Sequence, residues 1–221
     1  MLNIKTFCFN LLQENTYVVS DDTQECVIID CGAYYDAERD ALVNYINDNG
    51  LKPVHLLATH GHFDHNFGIN TVFDTWGLKP EIAAEDEWLI TDLSGQFEAM
   101  AGVKLRWQYP EPDHFFADDE VIRFGTHQLQ ILRTPGHTPG GVTFYCAEEK
   151  VAFTGDTLFR MSIGRTDFER GSYQQMLNSL SKVLAQLPAD TKVLCGHGPQ
   201  TTISDEAKYN PYFVEARSSH L

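Results

Sequence analysis

The first thirty residues contain three runs of residues that favour β-strands. These runs cover Ile4 to Phe9, Thr16 to Ser20 and Glu25 to Asp30. The polar segment 21–24 joins the second run to the third as a turn would. Strands joined by so short a turn pair side by side in opposite directions, so the pattern predicts the antiparallel start of a sheet.

Apolar residues then recur with helical spacing. Those between Ala41 and Ile46 predict a helix, for which Asp36 is a candidate N-cap and Gly50 suits the position just past the end. The short apolar run Val54 to Ala58 predicts a buried strand. A second helix is predicted to pass through Ile69 and to stop at Gly77, followed by a brief strand over 81–83.

The segment 84–117 has a different pattern. Its apolar residues form a helical stripe and are followed by an irregular stretch over 107–112. Two interpretations stay open, a helix packed on the core or a lid that contacts substrate. The stripe consists of Trp88, Leu89, Leu93, Phe97 and Met100.

The second half repeats the strand-rich beginning. Ser172, with Gln175 three residues later, forms a capping box that predicts a helix whose apolar face extends to Leu187. Strands and interspersed helices predict an α/β protein with two sheets between helices, and we expect one domain over residues 1–221. The predicted strands are Glu120 to Phe124, His127 to Leu132, Val142 to Cys146, Val151 to Thr154 and Val193 to Cys195.

Composition and charge limit the classes of function that the chain can have. The 221 residues are 43% hydrophobic, enough for a substantial core, and the formal net charge of −15 opposes binding to nucleic acid or to anionic membranes. The first residues lack a charged start followed by a long apolar run, and the five cysteines form no CxxC pair. We therefore expect a cytoplasmic protein, in which Cys195 is an inert thiol or, as the alternative, a ligand.

The stretch Thr59 to His65 concentrates ligand-type side chains directly after a predicted strand. His60, His62, Asp64 and His65 lie within six positions, and Gly61 would permit a tight bend. Three imidazoles and a carboxylate crowded together favour a bound cation. The alternative is a polar loop with solvated histidines, whereas His60 and His62 on one ion and Asp64 and His65 on a second would make a two-metal site.

Three later segments each place one such side chain at the end of a strand. His137 lies in the sequence PGHTPG, Asp156 in TGDT and His197 in CGHGP, each beside glycine or proline. Each alone is a plausible turn residue. Together with the first cluster, they supply the ligands that two ions need. The histidines outside these motifs are expected to be structural or exposed, namely His55, His114, His127 and His220.

The order HxHxDH, PGHTPG, GD and GHG resembles the metallo-β-lactamase-fold superfamily, nearly end to end. The resemblance implies a four-layer αββα sandwich and two divalent metal ions, with zinc expected and iron or manganese as alternatives. It implies that His60, His62 and His137 hold one ion, that Asp64, His65 and His197 hold the other, and that Asp156 bridges both. Ions so held would lower the pKa of a bound water, with Asp64 acting as ligand and orienter.

Within the superfamily, the chain looks like short glyoxalase II-like hydrolases, which lack a C-terminal helical domain. This implies hydrolysis of a small-molecule thioester of the hydroxyacylglutathione type. The sequence GRTDF, residues 164–168, also occurs in persulfide dioxygenases, which use one iron, and a lactonase or a metal-binding module without turnover are further alternatives. Arg165 aligns with a basic residue that meets the substrate; it would grip a carboxylate there, or else form an ion pair with an acid such as Asp167.

Overall fold

The computed structural model describes residues 1–218, which form two compact units. The first comprises Met1–Phe116 and Arg123–His127, and the second comprises Ala117–Ile122 and the chain from Gln128 onward. The expectation of one domain over 1–221 stays a prediction. No helix within residues 1–218 is long and apolar enough to cross a membrane.

The first unit is built on a six-stranded sheet whose strands follow chain order. Strands β1 to β3 pair antiparallel, as predicted, whereas β3 to β6 pair parallel. Parallel pairing brings the carboxyl ends of β3 and β4 to the same edge, so Asp30 and the segment after Leu57 are neighbours. The strands are β1 (Asn3–Phe9), β2 (Glu14–Ser20), β3 (Glu25–Ile29), β4 (Lys52–Leu57), β5 (Pro80–Ile82) and β6 (His114–Phe115).

Four helices belong to this unit: α1 (Asp36–Asp48), α2 (Ile69–Trp76), α3 (Glu87–Ile90) and α4 (Leu93–Ala101). Their apolar faces pack on the sheet, and each fully buried aliphatic side chain contributes about 1.5–3 kcal/mol. The core contains Val18, Ile28, Leu42, Ile46, Leu56, Ile69, Val72 and Ile82.

The ends of α1 and α2 show how local sequence sets helix limits. The prediction that Asp36 is the N-cap of α1 was wrong, because Tyr35 is the N-cap and Asp36 is the first residue of the helix. Glu38 Oε2 accepts hydrogen bonds from the backbone N–H groups of Tyr34 and Tyr35, which fixes this start. Helix α2 ends at Gly77, which has a φ of 74°, as the sequence predicted.

The apolar stripe over 88–100 forms two helices rather than one, α3 and α4. Leu89, Leu93 and Phe97 are buried, whereas Met100 is exposed. Three of the five stripe residues are therefore in the core, which favours the packed-helix interpretation over a lid.

The second unit contains most of another six-stranded sheet, in the order β14-β13-β10-β9-β8-β7. Strand β10 pairs parallel with β13 and antiparallel with β9, so the carboxyl ends of β10 and β13 lie at one edge. A separate small hairpin joins β11 to β12. The strands are β7 (Val121–Phe124), β8 (His127–Arg133), β9 (Val142–Cys146), β10 (Val151–Gly155), β11 (Leu158–Phe159), β12 (Ser162–Ile163), β13 (Lys192–Cys195) and β14 (Thr201–Thr202).

Helices α5 (Tyr173–Asn178), α6 (Ile203–Tyr209) and α7 (Pro211–Ser218) complete this unit. The predicted cap is present, because Ser172 Oγ accepts from Gln175 N at 3.3 Å. The helix predicted to reach Leu187 is α-helical only to Asn178 and continues as a π-helical segment (Ser179–Val183) and a 3₁₀ turn (Leu184–Gln186). Within the π-helical segment, Ser179 Oγ donates to Pro135 O at 2.7 Å, which ties the helix to the loop that carries His137.

Candidate functional site

The predicted ligands of the first unit follow strand β4, and Asp30 anchors the segment that carries them. Asp30 follows β3, the parallel neighbour of β4. Its Oδ1 accepts from Thr59 N at 2.7 Å and its Oδ2 accepts from Thr59 Oγ1 at 2.8 Å. The start of the histidine segment is thereby held against the end of the adjacent strand.

The four predicted ligands of this unit lie together. The ring centroid of His60 is 4.2 Å from that of His65 and 4.9 Å from that of His62. His65 Nε2 is 3.7 Å from Asp64 Oδ2. His60, Asp64 and His65 are buried and His62 is partly buried. Three imidazoles and a carboxylate therefore share one largely dry location, as the sequence predicted.

Two of these rings, those of His60 and His65, are each oriented by a contact of their own Nδ1 atom. His65 Nδ1 lies 2.9 Å from Asp30 Oδ2, and His60 Nδ1 lies 3.1 Å from Thr59 Oγ1. Metal-ligating histidines commonly hold one ring nitrogen in this way and bind the ion with the other. This arrangement leaves Nε2 of each ring as the candidate ligand atom.

Close packing requires a glycine at position 61. Its φ is not positive, and an added Cβ would lie 2.6 Å from Leu89 Cβ. Glycine allows α3 to approach the ligand segment closely, and the expected role of Gly61 in bending stays a prediction. Asp86 Oδ2 accepts from Gly61 N at 3.0 Å, and Asn66 Nδ2 donates to His62 O at 2.7 Å.

A buried glutamate lies behind this cluster. Glu14 has no solvent exposure, and one of its carboxylate oxygens lies within 4.8 Å of a carboxylate oxygen of Asp30 and of a ring nitrogen of His65. Its Oε2 accepts from Thr16 Oγ1 at 2.8 Å, while its Oε1 has no hydrogen-bond partner among the described residues. Burial raises the pKa of Glu14 well above its ordinary value; the nearby Asp30 charge adds to this rise, and His65 opposes it.

In the second unit, parallel pairing of β10 and β13 brings Asp156 and His197 together. Gly196 N donates to Gly155 O at 2.8 Å, so the residues that follow the two strands are adjacent. His197 Nε2 lies 3.6 Å from Asp156 Oδ2. His137 Nε2 lies 3.5 Å from the same oxygen. The two histidines thus converge on one carboxylate oxygen of Asp156, the third predicted ligand of this unit.

His137 is held by a tight loop and by the backbone of Arg165. Its Nδ1 donates to Arg165 O at 2.7 Å, which again leaves Nε2 as the candidate ligand atom. The loop is fixed by Gly136, which has a φ of 149° and whose added Cβ would lie 2.6 Å from the Met176 backbone. Gly164 is equally constrained, because an added Cβ would lie 1.9 Å from Asp156 O.

The side chain of Arg165 is exposed and paired. Its Nε and Nη2 each donate to one oxygen of Asp167, both at 2.9 Å, and its guanidinium carbon lies 4.4 Å from the centre of the Phe168 ring. The predicted ion pair with Asp167 is confirmed. The carboxylate-binding role of Arg165 stays a prediction.

The hairpin that precedes Arg165 is fastened by a buried carboxylate. Glu206 Oε2 accepts from Met161 N and from Asn210 Nδ2, both at 2.8 Å, and its Oε1 accepts from Thr201 Oγ1 at 2.6 Å. Glu206 therefore ties the β11–β12 turn to α6.

Burial raises the pKa of the Cys195 thiol to about 12, which supports an inert thiol rather than a ligand.

The three described histidines outside the motifs have structural or surface positions, as expected. His55 Nδ1 contacts Glu81 Oε1 at 2.6 Å, and the buried His127 Nδ1 contacts Asp21 Oδ2 at 2.9 Å. His114 is exposed, and His220 lies outside the described residues.

The donor set fits a divalent cation. In each unit, imidazole Nε2 atoms and carboxylate oxygens cluster, and the Nδ1 atoms of His60, His65 and His137 have oxygen partners. Nitrogen and carboxylate ligands of this kind suit zinc, iron and manganese.

The sequence analysis did not identify Asp30, Glu14 or Asn66 as residues of the site. Of these three, only Asp30 carried a usable signal, because it is an acid directly after a buried strand.

The chain is similar to several known proteins over nearly its whole length. The chain is 35% identical over 226 residues to hydroxyacylglutathione hydrolase GloC of Haemophilus influenzae, covering 96% of this chain and 98% of that protein. It is also similar to the crystal structure of BLEG-1 B3 metallo-beta-lactamase, with a TM-score of 0.87, 33% identity and coverage of 96% and 99%. The crystal structure of TTHA1623 in a di-iron-bound form is similar as well, with a TM-score of 0.81 and 33% identity. The match covers 94% of this chain and 99% of that one.

The fold class is confirmed: a mixed α/β protein with two sheets that matches solved proteins of the metallo-β-lactamase fold. The sequence pattern of the metallo-beta-lactamase superfamily matches residues 9–197, a range that contains all seven predicted ligands. The chain therefore belongs to the metallo-β-lactamase superfamily and is a metallo-hydrolase of that superfamily.

Proposed function

We propose that this metallo-hydrolase is a thioesterase of the hydroxyacylglutathione hydrolase type. The observation that carries the proposal is the convergence of His137 and His197 Nε2 on one oxygen of Asp156, since a carboxylate bordered in this way is suited to bridge two ions. The similarity to the Haemophilus influenzae hydrolase over nearly the whole chain supports the choice of a thioester.

We assign the ligands as the family resemblance implies. His60, His62 and His137 would hold one divalent ion, Asp64, His65 and His197 would hold a second, and Asp156 would be shared by both. Zinc is the expected metal, with iron or manganese as alternatives, and the di-iron form of a similar protein supports iron as the main competitor. Bound ions would supply Lewis acidity that activates water and polarises a carbonyl.

The residues of the chain then have separate tasks. Asp30 fixes the ring of His65, and the Arg165 carbonyl fixes that of His137. Asp64, beside His65 Nε2, acts as a ligand and orients the attacking water, with proton transfer as a secondary role. Arg165 binds a carboxylate of the substrate.

The proposed partner is a small-molecule thioester, without nucleic acid or membrane. The −15 net charge supports this exclusion. All five cysteines are free thiols, which supports the proposed cytoplasmic location.

A persulfide dioxygenase is the second candidate, because the chain carries the GRTDF sequence over 164–168 and a similar protein binds iron. Thiol release from S-lactoylglutathione in anaerobic buffer, with zinc-loaded protein, separates the two functions. Oxygen uptake with glutathione persulfide and iron-loaded protein is measured in parallel. We expect anaerobic thiol release.

Oxygen uptake without anaerobic thiol release would favour the persulfide dioxygenase over the thioesterase. A lactone and a chromogenic β-lactam complete the substrate set, and turnover of either one alone would assign the protein to that class instead. Elemental analysis of protein purified without added metal identifies the native ion.

A further inference from the structure

One side-chain amide bridges the backbone on both sides of His62. Gln96 in α4 donates from Nε2 to Gly61 O at 3.2 Å, and its Oε1 accepts from Phe63 N at 3.3 Å. These two peptide groups belong to the residues directly before and after His62. Asn66 Nδ2 also donates to the His62 carbonyl, at 2.7 Å. The backbone around one predicted metal ligand is thus held at three successive residues.

The partners of Gln96 fix the direction in which its amide points. Nε2 also donates to Leu89 O at 2.6 Å, so both N–H bonds of the amide face carbonyl oxygens while Oε1 faces an N–H. The opposite orientation would place the amide oxygen against two carbonyls. The contact with Leu89 ties α4 to α3, and Asp92 Oδ1 fixes the start of α4 by accepting from Gly95 N at 3.1 Å.

Aromatic packing gives α4 a second hold on the same segment. The centre of the Phe63 ring lies 5.8 Å from that of Phe97 and 5.3 Å from that of Phe67. Phe97 is buried and directly follows Gln96 in α4. Helix α4 therefore holds residue 63 both by its peptide N–H and by its ring, directly beside His62.

The need for such a hold follows from Gly61. Glycine leaves the backbone freer than any other residue, and here it separates two histidines that we assign to the same ion. Gln96 fixes the carbonyl of Gly61, and Asp86 Oδ2 fixes its N–H at 3.0 Å. Ligands that are held in place before the ion arrives need not be ordered when it binds, which raises affinity.

We propose that Gln96 is a positioning residue for His62, and thereby for the ion assigned to His60 and His62. Asp30 and Thr59 act on histidine rings, whereas Gln96 acts on the backbone and sets where the His62 ring lies relative to that of His60, 4.9 Å away between centroids. Helices α3 and α4 are then the support of this ion. The inference rests on the ligand assignment of the proposed function and not on the identity of the substrate.

Gln96→Met tests the proposal, because it keeps the length of the side chain and removes its donor and its acceptor. Zinc affinity is measured by competition with a chromophoric chelator in two backgrounds. In His197→Ala, which removes a ligand of the second ion, Gln96→Met should weaken binding of the remaining ion about tenfold. In His60→Ala, which removes a ligand of the first ion, the same change should alter the affinity by less than about twofold.

Hydrogen exchange of the metal-free protein tests the contact itself, without zinc or turnover. The Phe63 amide should exchange severalfold faster in Gln96→Met than in wild type, while the amide of Val27 in the buried strand β3 should be unaffected. Leu93→Val is the matched control, because it loosens the packing of α4 at a buried position and leaves Gln96 in place. It should lower the urea midpoint of unfolding and leave zinc affinity within about twofold of wild type.

Three results overturn the proposal. They are an equal loss of zinc affinity in the two backgrounds, an equal loss for Leu93→Val, and unchanged exchange at Phe63; each would make Gln96 only a packing residue of α4. Failure of the proposed function is a separate outcome. If the zinc-loaded wild type does not hydrolyse thioesters but Gln96→Met weakens only the first ion, the thioesterase function fails and the role of Gln96 stands.

Discussion

The Nδ1 atom of His65 lies 2.9 Å from Oδ2 of Asp30, and both side chains are buried. The contact joins residues 35 positions apart, and it exists because β3 and β4 are parallel neighbours. Asp30 also accepts two hydrogen bonds from Thr59. One carboxylate therefore fixes both the start of the ligand segment and the orientation of its last histidine.

Asp30→Asn should weaken metal binding. The amide replaces one carboxylate oxygen with a donor, which opposes either the Thr59 or the His65 contact. Loss of such an outer partner typically lowers metal affinity 10- to 100-fold. Competition with a chromophoric chelator measures the affinity, and circular dichroism checks the fold. Unchanged affinity in a folded variant would show that Asp30 does not orient His65.

Asp156→Ala should lose both bound metal and hydrolysis. A shared carboxylate neutralises charge at each ion, and here His137 and His197 both approach its Oδ2. Elemental analysis after dialysis reports the metal content of the variant. Asp190→Asn is the control, since Asp190 pairs only at the surface with Lys150. Retention of two equivalents by Asp156→Ala would contradict the bridging role.

Glu206→Gln should loosen the turn before Arg165. Glu206 accepts three hydrogen bonds, one of them from Met161 N, and an amide in its place must turn one donor group toward another. An unsatisfied buried group of this kind costs about 1–3 kcal/mol. Chemical denaturation measures this loss, and hydrogen exchange should be faster at the Met161 amide. Equal exchange rates at Met161 in both proteins would show that the turn is held by other contacts.

The sequence was sufficient to identify the candidate ligands because their signal is local. His60 to His65 lie within six positions, and His137, Asp156 and His197 each lie in a glycine- or proline-rich turn after a strand. The roles of Asp30 and Glu14 could not be predicted, since they depend on strand pairing and on burial. Glu14 is part of a strand that is buried over its whole length, and nothing in its neighbours marks an acid there as inaccessible.

The helices and strands also differ in how far local sequence could predict them. Strand β9 has the limits that were predicted for it, because its apolar run is bounded by turns on both sides. Helix α6 was missed although its start is readable: Thr202 Oγ1 caps it by accepting from Asp205 N at 3.2 Å. The short strand β6 pairs with β5 through two residue pairs, and no periodicity can indicate an element of that length.

Gly164→Ala should destabilise the protein and disturb Asp156. The added methyl would lie 1.9 Å from the Asp156 carbonyl oxygen, so the backbone must shift. Overpacking of this kind costs about 1–3 kcal/mol. Gly102→Ala is the control, since Gly102 has a φ of 68° but open space around its Cβ position, which isolates backbone strain from collision. Urea denaturation compares the two variants, and a larger loss for Gly102→Ala would refute the packing argument.

Glu14→Gln should make the stability of the metal-free protein less dependent on pH. Burial raises the pKa of Glu14, so the folded chain keeps this proton to a higher pH than the unfolded chain does. As the pH rises from roughly 4.5 toward the folded pKa, the unfolded state loses its proton first, and the free energy of unfolding of the wild type falls. Glutamine has no proton to lose and retains an acceptor for Thr16.

The difference in free energy of unfolding between Glu14→Gln and wild type should therefore grow in favour of the variant as the pH is raised through this window. Urea titrations of metal-free protein at several pH values between 4.5 and 8.5 measure it. Glu148→Gln, at an exposed position, serves as the control and should run parallel to wild type. A constant difference for Glu14→Gln across the window would mean that Glu14 is ionised in the folded protein, with its charge balanced by His65 rather than suppressed by burial.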